Sequence, residues 1–175
     1  MKKGLVHIYI GDGQGKTTAA VGLAARAAGS GRKVLFAQFL KGRGTGEIAA
    51  LETLGVSVIR SKEDPGFIWK MDDEQKEAYR AEQSRLFDET MEAVSDDAEL
   101  DLLALDEALD VIGLGLIDES RIIDAIEQKP DRLEIVLTGR AATDGILATA
   151  DYVTEMKKVR HPFDRGVAAR EGVEY

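Results

Sequence analysis

The chain has 175 residues and no cysteine. That absence excludes disulfides, thiolate metal sites and a cysteine nucleophile, and it is compatible with a reducing cytoplasm. Basic charge is short as well. Lys and Arg number 23 against 32 Asp and Glu, a net charge of -9. No global field therefore favours nucleic acid, and no basic stripe makes up for it. Long apolar runs are missing: no segment reaches the ~20 residues that span a bilayer. The opening MKKGLVHIYI begins like a signal peptide, but its apolar run stops at Gly11-Asp12 and no small-residue cleavage site follows. Internal repeats, low-complexity segments and linkers are also lacking. What remains is an ordinary composition, 44% hydrophobic and 31% charged. Its length predicts one domain over residues 1–175 with a substantial core.

Apolar, β-branched runs alternate with helical patterns. The runs are Leu5–Ile10, Val34–Leu40, Val56–Ile59, Leu102–Leu105, Leu133–Leu137 and Tyr152–Met156. Such alternation predicts an α/β fold: a mostly parallel, doubly wound sheet with helices on both faces. Between the first two runs, Ala19, Ala20, Leu23, Ala24 and Ala27 share one face of a helix, with Gly29 and Gly31 as its stop. A second helix is predicted over about Asp73 to Val94, with Leu86, Phe87, Met91 and Val94 as a core-packing stripe. The stretch KEDPGFIWKM at 62–71 interrupts the pattern and reads as a loop, yet it carries the only tryptophan, Trp69.

One more absence matters most. Residues 8–18, IYIGDGQGKTT, resemble a phosphate-binding loop. The usual pattern is G-x-x-x-x-G-K-S/T. Counting back from Gly15-Lys16-Thr17, the first glycine belongs at position 10, where Ile10 stands. The nearest glycine is Gly11, so the loop is one residue short. Its chemistry is intact. Gly11, Gly13 and Gly15 let backbone N–H groups approach an anion between a strand and a helix. Lys16 adds a point charge, Thr17 can place its hydroxyl on Mg2+, and Thr18 can reach a phosphate oxygen.

The run LDLLALDE ends in Asp106 and Glu107. A carboxylate at a strand's C-terminal end lies where this fold class binds ligands and can complete the shell of a hard cation. Either of the two could do so. By itself such a pair is also a helix N-terminus with favourable charge placement. In LTGR, Arg140 either reads phosphate charge or is a surface arginine at a loop start. The two histidines, His7 in the first run and His161 in the tail, carry no motif of their own.

Taken in order, GDGQGKTTAA, AARAAG, AQFLKG, GFIW, LALDE, LTGR, ADYVTEM and RHPFDRGVAAREGVEY resemble the P-loop class of ATP:cob(I)alamin, or corrinoid, adenosyltransferases. The combination is diagnostic where no single piece is, and it covers nearly the whole chain. The resemblance implies a P-loop, RecA-like three-layer α/β/α fold and a cytoplasmic homodimer. It implies transfer of the 5′-deoxyadenosyl group of ATP to the Co(I) of a corrinoid substrate, with tripolyphosphate leaving intact and a separate reductase supplying Co(I). On this resemblance ATP lies reversed on the short loop, with its terminal phosphate deep and C5′ facing the corrinoid. The nucleotide-binding set is Gly11, Asp12, Gly13, Gln14, Gly15, Lys16, Thr17, Thr18 and Arg26. Thr17 and Glu107 hold Mg2+ (or Mn2+), and Lys16, Thr17 and Glu107 are the catalytic set.

Phe67 and Trp69 of GFIW match the aromatics that lie against the corrinoid and displace its lower axial ligand, leaving four-coordinate Co(II). His161 and the RHPFDRG tail border the site or are structural. Asp12 and Gln14 depart from the family's usual asparagine and lysine, removing positive charge beside the phosphates. The rival expectations are a RecA-type ATPase releasing phosphate, a nucleoside kinase, and a carrier that binds without turnover.

Overall fold

A computed structural model of the chain describes residues 3–42, 44–61, 66 and 68–174, with Trp69 described by its backbone alone. Six strands form one sheet: β1 (Val6–Ile10), β2 (Val34–Gln38), β3 (Ser57–Arg60), β4 (Leu102–Asp106), β5 (Glu134–Thr138) and β6 (Tyr152–Glu155). They lie in the order β3-β2-β4-β5-β1-β6, and every pairing is parallel. The helices are α1 (Lys16–Gly29), α2 (Gly46–Thr53), α3 (Asp73–Asp96), α4 (Ala108–Gly113), α5 (Glu119–Glu127) and α6 (Asp144–Ala148). Each expected apolar run became a strand, and the expected doubly wound α/β fold is observed. Among the described residues no helix is long and apolar enough to cross a membrane.

The topology follows from crossover handedness. The connections β1 to β2 and β2 to β3 step toward one edge, and the later ones step back. Right-handed crossovers therefore put α1 and α2 on one face and α3 to α6 on the other. The two cores agree. Ala20, Ala24, Ala27 and Leu51 pack with Phe36, Ala104 and Val136. Leu86, Val111, Ile122 and Ile146 pack with Leu35, Leu103, Leu105, Ile135 and Leu137 on the opposite face. Neighbouring strand residues point to opposite faces, and both faces are covered. That is why β2 and β4 read as unbroken apolar runs rather than alternating ones.

Helix α1 comes close to the sheet because its inner face is alanine. Ala20 and Ala24 are fully buried, while Ala19 and Leu23 flank them half-buried. Its end is set by Gly31 at φ 79 and by Arg32 N–H donating to the Ala27 carbonyl at 3.1 Å, a left-handed stop. Helix α3 starts at a reciprocal cap between Asp72 and Gln75. It carries the expected stripe of Leu86, Phe87, Met91 and Val94.

Two boundaries differ from expectation. β2 ends at Gln38, not Leu40, because Leu40 sits at φ 58 and turns the chain out of the sheet. β6 pairs only with β1 and leaves all four of its residues exposed, so its apolar pattern marks an edge rather than a core strand.

The alanine seam yields a prediction. Ala24→Leu must force a larger side chain into a fully buried helix–sheet contact, so denaturant unfolding should show a loss of about 1–3 kcal/mol. An unchanged midpoint would mean α1 is not held this tightly.

Candidate active site

In an open parallel sheet, ligands bind beyond the C-terminal strand ends where successive connections leave to opposite faces. Here β1 leads to α1 on one face while its neighbour β5 leads to α6 on the other. The same holds for β2 and β4. The polar residues buried at those ends are Gln38, Asp106 and Thr138.

The loop after β1 is held from both sides. Gly11 N–H donates to the Arg140 carbonyl at 3.0 Å, and Gly13 N–H donates to the Met156 carbonyl at 2.7 Å. A Cβ on Gly11 would run into the Met156 carbonyl, and its φ of 118 is itself glycine territory. Gly15 caps α1 at φ 111 with no side-chain cap. The first N–H groups of α1, at Lys16, Thr17 and Thr18, have no intrahelical acceptor and carry the positive end of the helix dipole. Lys16 Nζ bends back over the loop and donates to the carbonyls of Gly11 at 2.7 Å and Gly13 at 2.8 Å.

Asp106, at the end of β4, is fully buried. Burying a carboxylate without donors is prohibitive, and four groups converge on it. Thr17 Oγ1 donates to its Oδ1 at 2.9 Å and Thr138 Oγ1 to the same oxygen at 2.8 Å. Lys41 Nζ donates to Oδ2 at 3.1 Å and Gln38 Nε2 at 3.3 Å. Glu107 follows in the left-handed region at φ 63, a strained placement for a side chain. Its N–H is fixed by Thr138 Oγ1 at 2.8 Å. Glu47, from the first turn of α2, accepts from Gln38 Nε2 at 3.0 Å. Lys41 Nζ also lies 3.3 Å from Glu107 Oε1 and 3.3 Å from Thr17 Oγ1.

Burial opposes the charge on Lys41, but Asp106, Glu107 and Glu47 outweigh it and hold the ammonium above its usual pKa. Burial pushes the Glu107 carboxyl up; Lys41 pulls it down and Asp106 adds to the rise. The set is thus a cluster of hard oxygens around a cation. Its donors, a hydroxyl and carboxylates, suit Mg2+. Among the described residues no group of three or more His, Asp or Glu is arranged as a metal site by itself. A divalent ion here would draw the rest of its shell from phosphates and water, as Mg2+ commonly does.

A profile of the ATP:corrinoid adenosyltransferase BtuR/CobO/CobP family matches residues 2–175. The chain belongs to the ATP:corrinoid adenosyltransferases. It is 34% identical to the corrinoid adenosyltransferase of Pseudomonas aeruginosa over 99% of this chain and 85% of that one. It is equally similar, at 34%, to the enzymes of Escherichia coli and Salmonella typhimurium, over 99% of this chain and 87% of each.

Within this adenosyltransferase the expected residues fall into three groups. Gly11, Gly13, Gly15, Lys16, Thr17 and Glu107 are brought together, with Thr18 exposed at the head of α1. Asp12 and Gln14 lie on the outer side of the loop. Asp12 Oδ1 accepts from Lys158 N–H at 2.9 Å. That bond, with the charges of Lys158 and Lys157, keeps its carboxyl below the usual range. The extra negative charge of the loop is therefore answered by cations after β6. Arg26 is not brought to the phosphate cradle. It stands exposed in the last turn of α1, about 15 Å along the axis from Lys16 at the ordinary helical rise.

Phe67 and the side chain of Trp69 lie outside the described residues; the backbone of Ile68–Lys70 forms one 3-10 turn. Arg140 reaches the loop through its carbonyl while its side chain is exposed. His161 Nδ1 accepts from Phe163 N–H and caps a 3-10 turn. His7 meets Glu134 at 2.6 Å and stacks on Tyr152. Both histidines thus do structural work.

Sequence reasoning did not single out Lys41, Gln38, Glu47 or Thr138. The only local signals were a polar residue ending an apolar run and the lysine of AQFLKG. Thr138 can be tested directly, because one hydroxyl positions both acidic residues. Thr138→Val should cost about 1–3 kcal/mol in unfolding, since two buried partners lose their bond. Unchanged stability would show that the hydroxyl is dispensable.

Proposed function

We propose that this enzyme transfers the 5′-deoxyadenosyl group of ATP to Co(I) of a reduced corrinoid, cob(I)alamin or a precursor, and releases tripolyphosphate. The observation that carries the reading is the pairing of a shortened phosphate loop with the oxygen cluster at Thr17, Asp106 and Glu107, in a chain of this family. The Co(I) electron pair attacks C5′. A Co–C bond forms, the C5′–O bond breaks, and that electron pair leaves on the terminal oxygen of tripolyphosphate. Co(I) is itself a strong nucleophile, so no protein base is required. This fits the structural engagement of both histidines.

The protein's share is alignment and charge stabilisation of the leaving group. The N–H groups of Lys16, Thr17 and Thr18 hold the deep phosphate. The Lys16 ammonium exchanges the carbonyls of Gly11 and Gly13 for phosphate oxygens. Mg2+ or Mn2+ held by Thr17, Asp106 and Glu107 supplies further neutralisation of the triphosphate. Thr138 and Gln38 keep Asp106 in place. Phe67 and Trp69 belong to this reading as the corrinoid face, as do a homodimer, a separate reductase and a cytoplasmic setting.

The test is anaerobic. Protein, ATP, Mg2+ and chemically reduced cob(I)alamin are mixed while the Co(I) absorbance is followed. The expected result is a light-sensitive cobalt–carbon product with stoichiometric tripolyphosphate, and loss of about 100-fold or more in Lys16→Ala. Free phosphate without cobalt chemistry would point to an ATPase, and near-normal turnover in Lys16→Ala would remove the phosphate-loop mechanism.

A further inference from the structure

Lys41 has no task in the mechanism above, yet it occupies the centre of the oxygen cluster. Its Nζ stands 3.1 Å from Asp106 Oδ2, 3.3 Å from Glu107 Oε1, 3.3 Å from Thr17 Oγ1 and 4.0 Å from Glu47 Oε1. Three of these oxygens are the ones a divalent ion would take. Two cations cannot share them at contact distance without strong repulsion. The backbone beneath is fixed: Leu40 is locked at φ 58, its N–H donates to Gln83 Oε1 at 3.2 Å, and Arg60 donates to the Lys41 carbonyl at 2.9 Å. The side chain is a quarter exposed, so a flexible four-carbon stem has an open path out. The remaining charge balance also matters. One ammonium against three carboxylates leaves the cluster net negative, which opposes entry of a triphosphate alone. The ammonium in turn opposes entry of a metal alone.

We propose that Lys41 is a resident counter-cation that a divalent metal displaces, and that the freed ammonium turns to the incoming triphosphate. Metal and nucleotide then bind as one coupled event. This inference rests on the metal-assisted reading above. Emptying the site of metal leaves no bare carboxylates, because Lys41 returns to them. Full occupancy places the ammonium on the leaving group, where negative charge develops.

The experiment titrates Mn2+ into the protein, following free Mn2+ by electron paramagnetic resonance with and without ATP, each curve read against the same titration of ATP alone. Wild-type protein should bind Mn2+ alone weakly and Mn2+ with ATP well. Lys41→Gln should bind Mn2+ alone at least tenfold tighter, and the strengthening by ATP should shrink by a similar factor. Lys41→Arg, which keeps a cation, should stay as weak as wild type for metal alone. Circular dichroism checks folding, and Lys41→Met, which keeps the aliphatic stem, takes the place of a glutamine variant that does not fold. Mn2+ binding tightly with ATP but no tighter alone in the neutral variants would overturn the resident-cation role by itself. Failure of wild type to bind Mn2+ even with ATP would instead overturn the metal site, and the inference with it.

Discussion

A carboxylate buried at the end of a central strand is the constraint on which this structure depends. Asp106 has no exposed surface, and charge in that position survives only with donors around it. Those donors come from Thr17 on α1, Thr138 on β5, Gln38 on β2 and Lys41 after β2. One side chain therefore ties the phosphate-loop helix to three strands of the sheet. The parallel order with β5 between β1 and β4 brings these groups to one edge. The same demand that stabilises the apex of the sheet gathers a cluster of hard oxygens around Lys41 beside the N-terminus of α1.

The backbone strain in this region has the same origin. Among the described non-glycine residues, positive φ occurs at Leu40 and Glu107. Each follows a strand whose last residue is a buried polar group, and each is next to or part of the oxygen cluster. At Leu40 the left-handed step ends β2 and precedes Lys41, whose ammonium reaches the cluster. At Glu107 it forms the N-cap of α4 and sets the carboxylate beside Lys41. Held geometry of this kind costs about 1–3 kcal/mol per residue, and here Gln83 and Thr138 fix the two strained backbones through side-chain hydrogen bonds.

The strands and the loop were readable from local sequence because their signals are local. A parallel sheet covered on both faces demands unbroken apolar runs, and Val34 to Gln38 or Leu102 to Asp106 could hardly be anything else. Gly-Lys-Thr after such a run is equally local. Lys41, Glu47, Gln38 and Thr138 lack that property. They are spread over β2, the loop after it, α2 and β5, and only the strand order brings them to the cluster around Asp106. Arg26 is the converse case: the family resemblance implies a phosphate contact, while ten helical residues carry it to the last turn of α1. Leu40 continues the apolar run of β2 in its side chain, while its backbone at φ 58 has already left the strand.

The missing glycine acquires a physical meaning once the loop's hydrogen bonds are counted. The amides of Gly11 and Gly13 are already committed to the carbonyls of Arg140 and Met156, and Gly11 leaves no room for a Cβ against Met156. The early part of the loop is thus stitched to the chain after β5 and β6, not open toward a ligand. The amides at the head of α1, by contrast, have no intrahelical acceptor and remain for an anion. Amides of this kind grip a phosphate at a helix N-terminus. On the proposed reading, that is the grip a reversed nucleotide needs. On that reading the phosphate farthest from the reacting carbon would be held deep, with the C5′ end projecting away from the loop. On the same reading a loop of ordinary length would enclose more of the phosphates, and the short one would leave exposed the carbon to be attacked.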